Sequence, residues 1–190
     1  MKMGIDITTR IIHLGIMIFA LSAYLTGDMA DDYKKLEYLG FTIHKWLGMG
    51  VGFFILSRII YGFAGPKKAR FSRWVPTTKE SLKEAGQALI SALAYKRPAV
   101  PAHRAISGVV KTAGILLFSW MALTGTFMFF FVEPGSRSRG LVHLVMEVHE
   151  VGEALIPAYL VIHIGAVLIH AFYGQDFWRK MLFMKKREAL

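Results

Sequence analysis

The sequence contains no cysteine. This excludes disulfide staples, thiolate zinc sites, cysteine-bound iron–sulfur clusters and covalent cofactor attachment through a CxxCH motif. Charge is also scarce: Asp, Glu, Lys and Arg make up 19% of the 190 residues, where an average soluble domain carries about 25%. Acids are the scarcer sign, 13 against 23 bases, for a formal net charge of +10. No internal repeat or low-complexity tract interrupts the chain. What fills the deficit is apolar. Hydrophobic residues reach 54% and mean hydropathy is +0.43, more apolar surface than one core of this size can hide, and it arrives in long blocks of the kind that cross bilayers.

Four blocks reach the roughly 20 residues a span needs: about Ile7 to Thr26, Gly40 to Phe63, Ala105 to Val132 and Val148 to Phe172. Turn-forming residues close the first three, at Gly27-Asp28, Gly65-Pro66 and Glu133-Pro134-Gly135, and the fourth runs on as a helical tail through Trp178. In lipid only helices and closed barrels satisfy their own backbone. Runs this long therefore predict an all-α fold, a four-transmembrane-helix bundle forming one domain over residues 1–190. Between the second and third spans, Thr78 to Tyr95 places Leu82, Ala85, Leu89 and Leu93 at helical spacing behind Thr77 or Thr78 as N-cap. That pattern predicts a short amphipathic helix lying on the membrane interface.

The bases are sorted by side. Lys67, Lys68, Arg70, Arg73, Lys79, Lys83, Lys96, Arg97 and Arg104 lie between spans two and three. Arg179, Lys180, Lys185, Lys186 and Arg187 follow span four, and Lys2 and Arg10 open the chain. The opposite side holds Asp28, Asp31, Asp32 and Glu37, with Lys34, Lys35, Arg137 and Arg139 as its bases. The positive-inside rule puts both termini and the long middle loop in the cytoplasm. The positive charge is thus a topology signal that requires no nucleic acid, and secondarily a surface for partners or anionic lipid.

Seven histidines occur, and of those inside the predicted spans, where ionisable side chains are expensive and mark function, four sit at places that complement each other. One alone would be read as an interhelical hydrogen bond. The four are matched in depth. His13 lies near the cytoplasmic end of span one and His44 near the outer end of span two, while span four carries His149 near its outer end and His163 fourteen residues further in. Fourteen residues is about 21 Å along a helix and only about 40° around it. One face of span four therefore presents an imidazole at each side of the membrane, so that His44 can meet His149 outside and His13 can meet His163 inside. Two such pairs describe a bundle holding two b-type haems, each clamped from both faces. Such an iron has no vacant site for oxygen, which leaves electron exchange as its chemistry.

A macrocycle needs room, and Gly48 and Gly52 follow His44 by one and two turns on the same face. The Gly48-Met49-Gly50-Val51-Gly52 run is no nucleotide loop, because it lies within a span and follows no strand. Haem propionates need basic partners. Arg58, fourteen residues after His44, and Arg10, one turn before His13, carry the forked guanidinium that suits carboxylates; the rival role of each is a topology anchor. Lys45 adjoins the outer site but faces differently from His44.

Span one has Lys2 and Arg10 ahead of an apolar core, and Ala20-Leu21-Ser22-Ala23 resembles a signal-peptide cleavage site. Cleavage would discard His13, so span one is read as retained. His149-Glu150 starts like a zinc protease signature, but Glu153 stands where HExxH requires histidine. Ligands split between two depths also cannot close on one zinc. His103, in the cytoplasmic loop, and His143, in the outer loop, fit neither pair and are read as surface or interfacial residues.

These residues resemble the bacterial cytochrome b561 proteins and the related b-type cytochrome subunits of nickel–iron hydrogenases. The resemblance rests on Arg10-Ile11-Ile12-His13 and Leu25-Thr26-Gly27 in span one, and on His44 with Gly48 in span two. It continues through Arg58-Ile59-Ile60-Tyr61-Gly62-Phe63-Ala64-Gly65, Ala69-Arg70-Phe71-Ser72 and Leu123-Thr124-Gly125 to Glu147-Val148-His149-Glu150, His163 and His170. It covers nearly the whole chain. It implies a four-helix, two-haem cytochrome b of the bacterial inner membrane that trades electrons with quinone, with His13, His44, His149 and His163 as axial ligands. Hydrogenase-linked members often carry Gly-His-Asn-Pro before span three; here the stretch reads Ala102-His103-Arg104-Ala105, so the resemblance is to the broad family.

A quinone site needs an apolar slot beside a haem edge and a polar group for the quinone oxygen. His170, seven residues beyond His163, is about 20° off the same face and about 10 Å nearer the cytoplasm, with Asp176 or Arg58 to assist. At the outer side Glu147 and Glu150 flank His149, and either tune it or stay solvated. Two functions follow. In one, the chain is the cytochrome b subunit of a respiratory dehydrogenase or hydrogenase-type complex. It takes electrons from a periplasmic dehydrogenase, hydrogenase or cytochrome c and passes them to quinone. In the other, it is a stand-alone superoxide:quinone oxidoreductase. Basic residues outside would steer an anionic substrate; the first outer loop has four acids against two bases, which favours the subunit.

Overall fold

The computed structural model describes residues 5–27, 39–93, 100–132, 139–172 and 177–184; within the helices, the side chains of residues 88–89, 91–93, 100–105, 169–170 and 177 are not described. The described elements are α1 (Ile7–Leu25), α2 (Leu39–Ala64), α3 (Lys79–Leu93), α4 (Val100–Phe131), α5 (Leu141–Phe172) and α6 (Phe177–Met181), with no strand among the described residues. α1, α2, α4 and α5 are long and apolar enough to cross a membrane. Their apolar side chains point outward as well as inward, Leu123 at 73% and Val161 at 72% exposure, which water would penalise and lipid accepts. The protein is all-α and multi-pass.

Local chemistry sets the helix ends. The Asp6 carboxylate accepts from Thr9 N at 2.9 Å and from the Thr9 hydroxyl at 2.8 Å, capping α1. Thr78 caps α3, its hydroxyl accepting from Ser81 N at 3.2 Å. α4 starts at Val100, ahead of the span expected from Ala105, because Pro101 falls in the first turn, where a missing N–H costs nothing. α5 starts at Leu141, just after Gly140 with φ +59°. His143 is therefore not in an outer loop but on the first turn of α5, its Nε2 3.4 Å from Glu147 Oε1 one turn on. α5 also runs through Pro157; the lost N–H there is one that membrane helices tolerate when neighbouring groups re-satisfy the backbone. α5 and α6 are two helices, and residues 173–176 between them lie outside the described residues.

The chain forms two compact units, residues 1–58 with 117–190, and residues 59–116. In the first, α1 and α2 interlock through glycine. A Cβ at Gly15 would land in the Phe54 ring, and one at Gly50 in the Phe19 ring. The two rings pack on each other with centroids 5.5 Å apart. Small residues of this kind let membrane helices approach closely. Ile12, Val51, Ile55, Leu117, Phe118 and Ile156 are buried around this layer, and Gly152 of α5 takes the Met121 thioether of α4 in the same way. Trp46 of α2 meets Phe129 of α4 edge-on at 5.3 Å.

In the second unit the stretches after span two build an aromatic corner. Arg70 Nε donates to Gly65 O at 2.8 Å and Trp74 Nε1 to Ala69 O at 3.4 Å. Phe71 sits where a Cβ on Gly62 would be, edge-on to Phe63 at 5.1 Å and to Trp74 at 5.5 Å. The corner encloses an apolar cavity of about 300 Å³ that also touches Thr112 and Ile115 of α4.

Candidate cofactor site at two imidazole pairs

α5 carries two of the intramembrane histidines, and other helices bring a partner to each. His149 meets His44 of α2, with ring centroids 6.5 Å apart and planes at 86°. His163 meets His13 of α1 at 6.3 Å and 39°. A metal–imidazole bond is about 2 Å and a ring nitrogen lies about 1.1 Å from its ring centre, so imidazoles facing across one ion stand about 6 Å apart. Both pairs have that spacing. Among the described residues no three His, Cys, Asp or Glu side chains converge on a metal-ion site. Two nitrogen donors on opposite sides do not complete a bare ion, but they complete an iron whose other four positions a porphyrin fills.

Hydrogen bonds fix which nitrogen each outer imidazole offers. His44 Nδ1 lies 2.9 Å from Ala23 O and 3.4 Å from Thr26 Oγ1. A carbonyl only accepts, so Nδ1 carries the proton and Nε2 the lone pair. His149 Nδ1 lies 2.7 Å from Thr124 Oγ1. That hydroxyl can donate its one proton to Trp120 O at 2.9 Å, which lets its oxygen accept from Nδ1–H and leaves His149 Nε2 free to ligate. In the other pair, His13 Nδ1 and, three residues before it, Arg10 Nε are buried with no hydrogen-bond partner among the described residues. A guanidinium Nε is always a donor, and burying it unpaired is costly; an anionic group bound at that depth would relieve it. The donor set, the spacing and the unpaired guanidinium Nε fit haem.

The other predicted residues are placed as follows. A Cβ on Gly48 would meet nothing within 4 Å, leaving open space beside His44, whereas Gly52 faces Thr126 and Ala122 of α4 at 3.8 and 3.9 Å. The Arg10 guanidinium stacks 3.8 Å from the Phe183 ring. Arg58 is half-buried on α2. Lys45 points its ammonium at Phe129, 4.9 Å away, and at Phe41. Glu147 and Glu150 are exposed. His170 is on the last turn of α5 with its side chain not described, and Asp176 lies outside the described residues.

Three residues of the same unit were not legible in their roles. Tyr159 stacks on His163 at 5.6 Å and 17°, with Phe118 edge-on behind it at 5.7 Å; its only sequence signal is the four-residue spacing. Glu153, visible only as the residue that spoils a zinc signature, lies against Gly27 at the end of α1. Trp120 carries a buried indole N–H without a hydrogen-bond partner. The family model described as prokaryotic cytochrome b561 matches residues 4–184 of the chain. No curated protein and no solved structure matches it.

Proposed function

The chain belongs to the prokaryotic cytochrome b561 family, membrane proteins that carry electrons on b-type haem, and from that premise we propose that it moves electrons across the bacterial inner membrane from a periplasmic donor to quinone. His44 with His149 would hold an outer haem, and His13 with His163 an inner one. The observation that carries this reading is the two facing imidazole pairs, their ring centroids 6.5 and 6.3 Å apart, about 21 Å from one another along α5.

Bound haem supplies one-electron chemistry at an iron with no vacant position. The chain supplies the rest. His44 and His149 turn Nε2 inward because Nδ1 is held from behind. Gly48 keeps space open next to His44, and Arg10 and Arg58 offer guanidinium donors for propionates at the inner depth. His170, one step past the inner pair on α5, would hydrogen-bond a quinone oxygen, with Asp176 to relay its proton. The sorting of bases puts both termini in the cytoplasm, and the acid-rich first outer loop suits a protein donor better than an anion. The chain then works as the cytochrome b subunit of a dehydrogenase or hydrogenase-type complex.

Purified protein is expected to hold two haems per chain by haemochrome and protein assay. When oxidised it should give two distinct low-spin EPR signals. Near-perpendicular imidazole planes, as at 86°, leave two iron d orbitals almost degenerate and give a highly anisotropic signal. Planes at 39° give a more rhombic one. A single haem per chain, or high-spin iron, would overturn the two-pair reading. Solubilised native membranes are expected to yield the chain with a periplasmic redox protein attached. A haem protein that migrates alone and reduces quinone with superoxide would make it the stand-alone oxidoreductase instead.

A further inference from the structure

The two Leu-Thr-Gly stretches, Leu25-Thr26-Gly27 at the end of α1 and Leu123-Thr124-Gly125 in α4, lie behind the outer pair and do more than orient it. Each sets its threonine hydroxyl against Nδ1 of the outer histidine on the next membrane helix. Thr26 Oγ1 is 3.4 Å from His44 Nδ1, and Thr124 Oγ1 is 2.7 Å from His149 Nδ1. Proton counting gives both bonds one direction. Thr26 spends its hydroxyl proton on Ser22 O at 2.9 Å and Thr124 on Trp120 O at 2.9 Å, so both oxygens face the imidazoles as acceptors. At His44 the Ala23 carbonyl, 2.9 Å away, is the nearer acceptor; at His149 the hydroxyl is the one given. The glycine after Thr124 has its own use, since a Cβ on Gly125 would press on His149 Cε1 at 3.3 Å.

We propose that Thr124 is a positioning residue for the outer haem, with Thr26 its weaker counterpart: it locks the tautomer of His149 and lowers the outer midpoint potential. The proposal rests on His44 and His149 being ligands. Accepting a hydrogen bond from Nδ1–H makes the imidazole a more basic ligand, which favours ferric over ferrous iron. Among the described residues no such acceptor meets His13 Nδ1. The device therefore biases the outer site toward giving electrons up and directs flow inward, toward quinone.

Thr124→Val keeps the shape and removes the acceptor; Thr124→Ser keeps the acceptor. Both are to be read in the purified holoprotein by optical redox titration and EPR, independent of turnover. In Thr124→Val the outer midpoint should rise, with about a tenfold change in the oxidised-to-reduced ratio, or about 59 mV for one electron. The inner midpoint should stay put, and Thr124→Ser should match the parent. Loss of the outer haem in Thr124→Val but not in Thr124→Ser supports the same conclusion, because it places the requirement on the hydroxyl. An unshifted Thr124→Val that keeps the haem overturns the proposal, and so do two variants that shift or lose haem alike. His149→Ala separates the layers. If it leaves haem content unchanged, the ligand reading has failed; if it removes a haem while Thr124→Val is silent, only the present proposal has.

Discussion

His163→Ala is expected to lower haem content to about one per chain and to stop quinone reduction by the outer donor, while the anisotropic outer signal persists. His163 and His13 are the only imidazoles described at that depth, with rings 6.3 Å apart, so on the proposed ligation removing one would leave the inner haem with a single protein ligand. The outer pair is about 21 Å away along α5, beyond the roughly 7–10 Å over which substitutions usually couple. Its ligands and their hydrogen-bonded Nδ1 atoms should be undisturbed. Haem content equal to the parent's would contradict the pairing. His170→Ala is the matching control: both haems should remain, with quinone reduction slowed about a hundredfold, the scale of a lost proton-transfer group.

Gly50→Leu should have the broadest effect of any substitution away from the histidines. A Cβ at Gly50 lands in the Phe19 ring, and Phe19 is braced by Phe54, whose own ring fills the space at Gly15. The contact is reciprocal, so neither helix can yield by turning one side chain. Overpacking of this sort costs about 1–3 kcal/mol, and relief requires α1 to withdraw from α2. That withdrawal reaches both pairs, since α1 supplies His13 at one depth and the Ala23 carbonyl on His44 Nδ1 at the other. A lower melting temperature and loss of haem from both sites are expected, with partial recovery when Phe19→Ala is added. Unchanged melting and full haem content would show that the layer is softer than its packing implies.

The long apolar runs and the four paired imidazoles within them were readable in the sequence because lipid forbids both irregular backbone and idle polar groups. Helical arithmetic on His149 and His163 needed only a straight α5. What could not be read depended on which helix faces which. Thr26 lies 18 residues from His44, and Thr124 lies 25 from His149, separations at which no periodicity exists to find. The Gly15–Phe54 and Gly50–Phe19 sockets are likewise contacts between chains of residues that look like any other lipid-facing pattern. His143 was misplaced for a different reason. The span is expected from Val148, but the helix and its apolar stretch begin at Leu141, which puts His143 one turn before Glu147, 3.4 Å from its carboxylate. The stretches from Ile59 to Gly65 and from Ala69 to Ser72, read as family markers, prove to be part of the glycine-lined aromatic corner of the smaller unit, where Arg70 serves a carbonyl as well as the charge balance.

Because α5 supplies one side chain to each pair, the interval from His149 to His163 works as a ruler. Inserting or deleting one residue there would swing one imidazole about 100° relative to the other, so no neighbouring helix could meet both. Descendants of this gene can exchange residues along that interval, Pro157 included, but they cannot change its length by single steps. Drift in length should then be confined to the loops, and divergence among homologues should be recorded there as gaps and in the His149–His163 interval as substitutions alone.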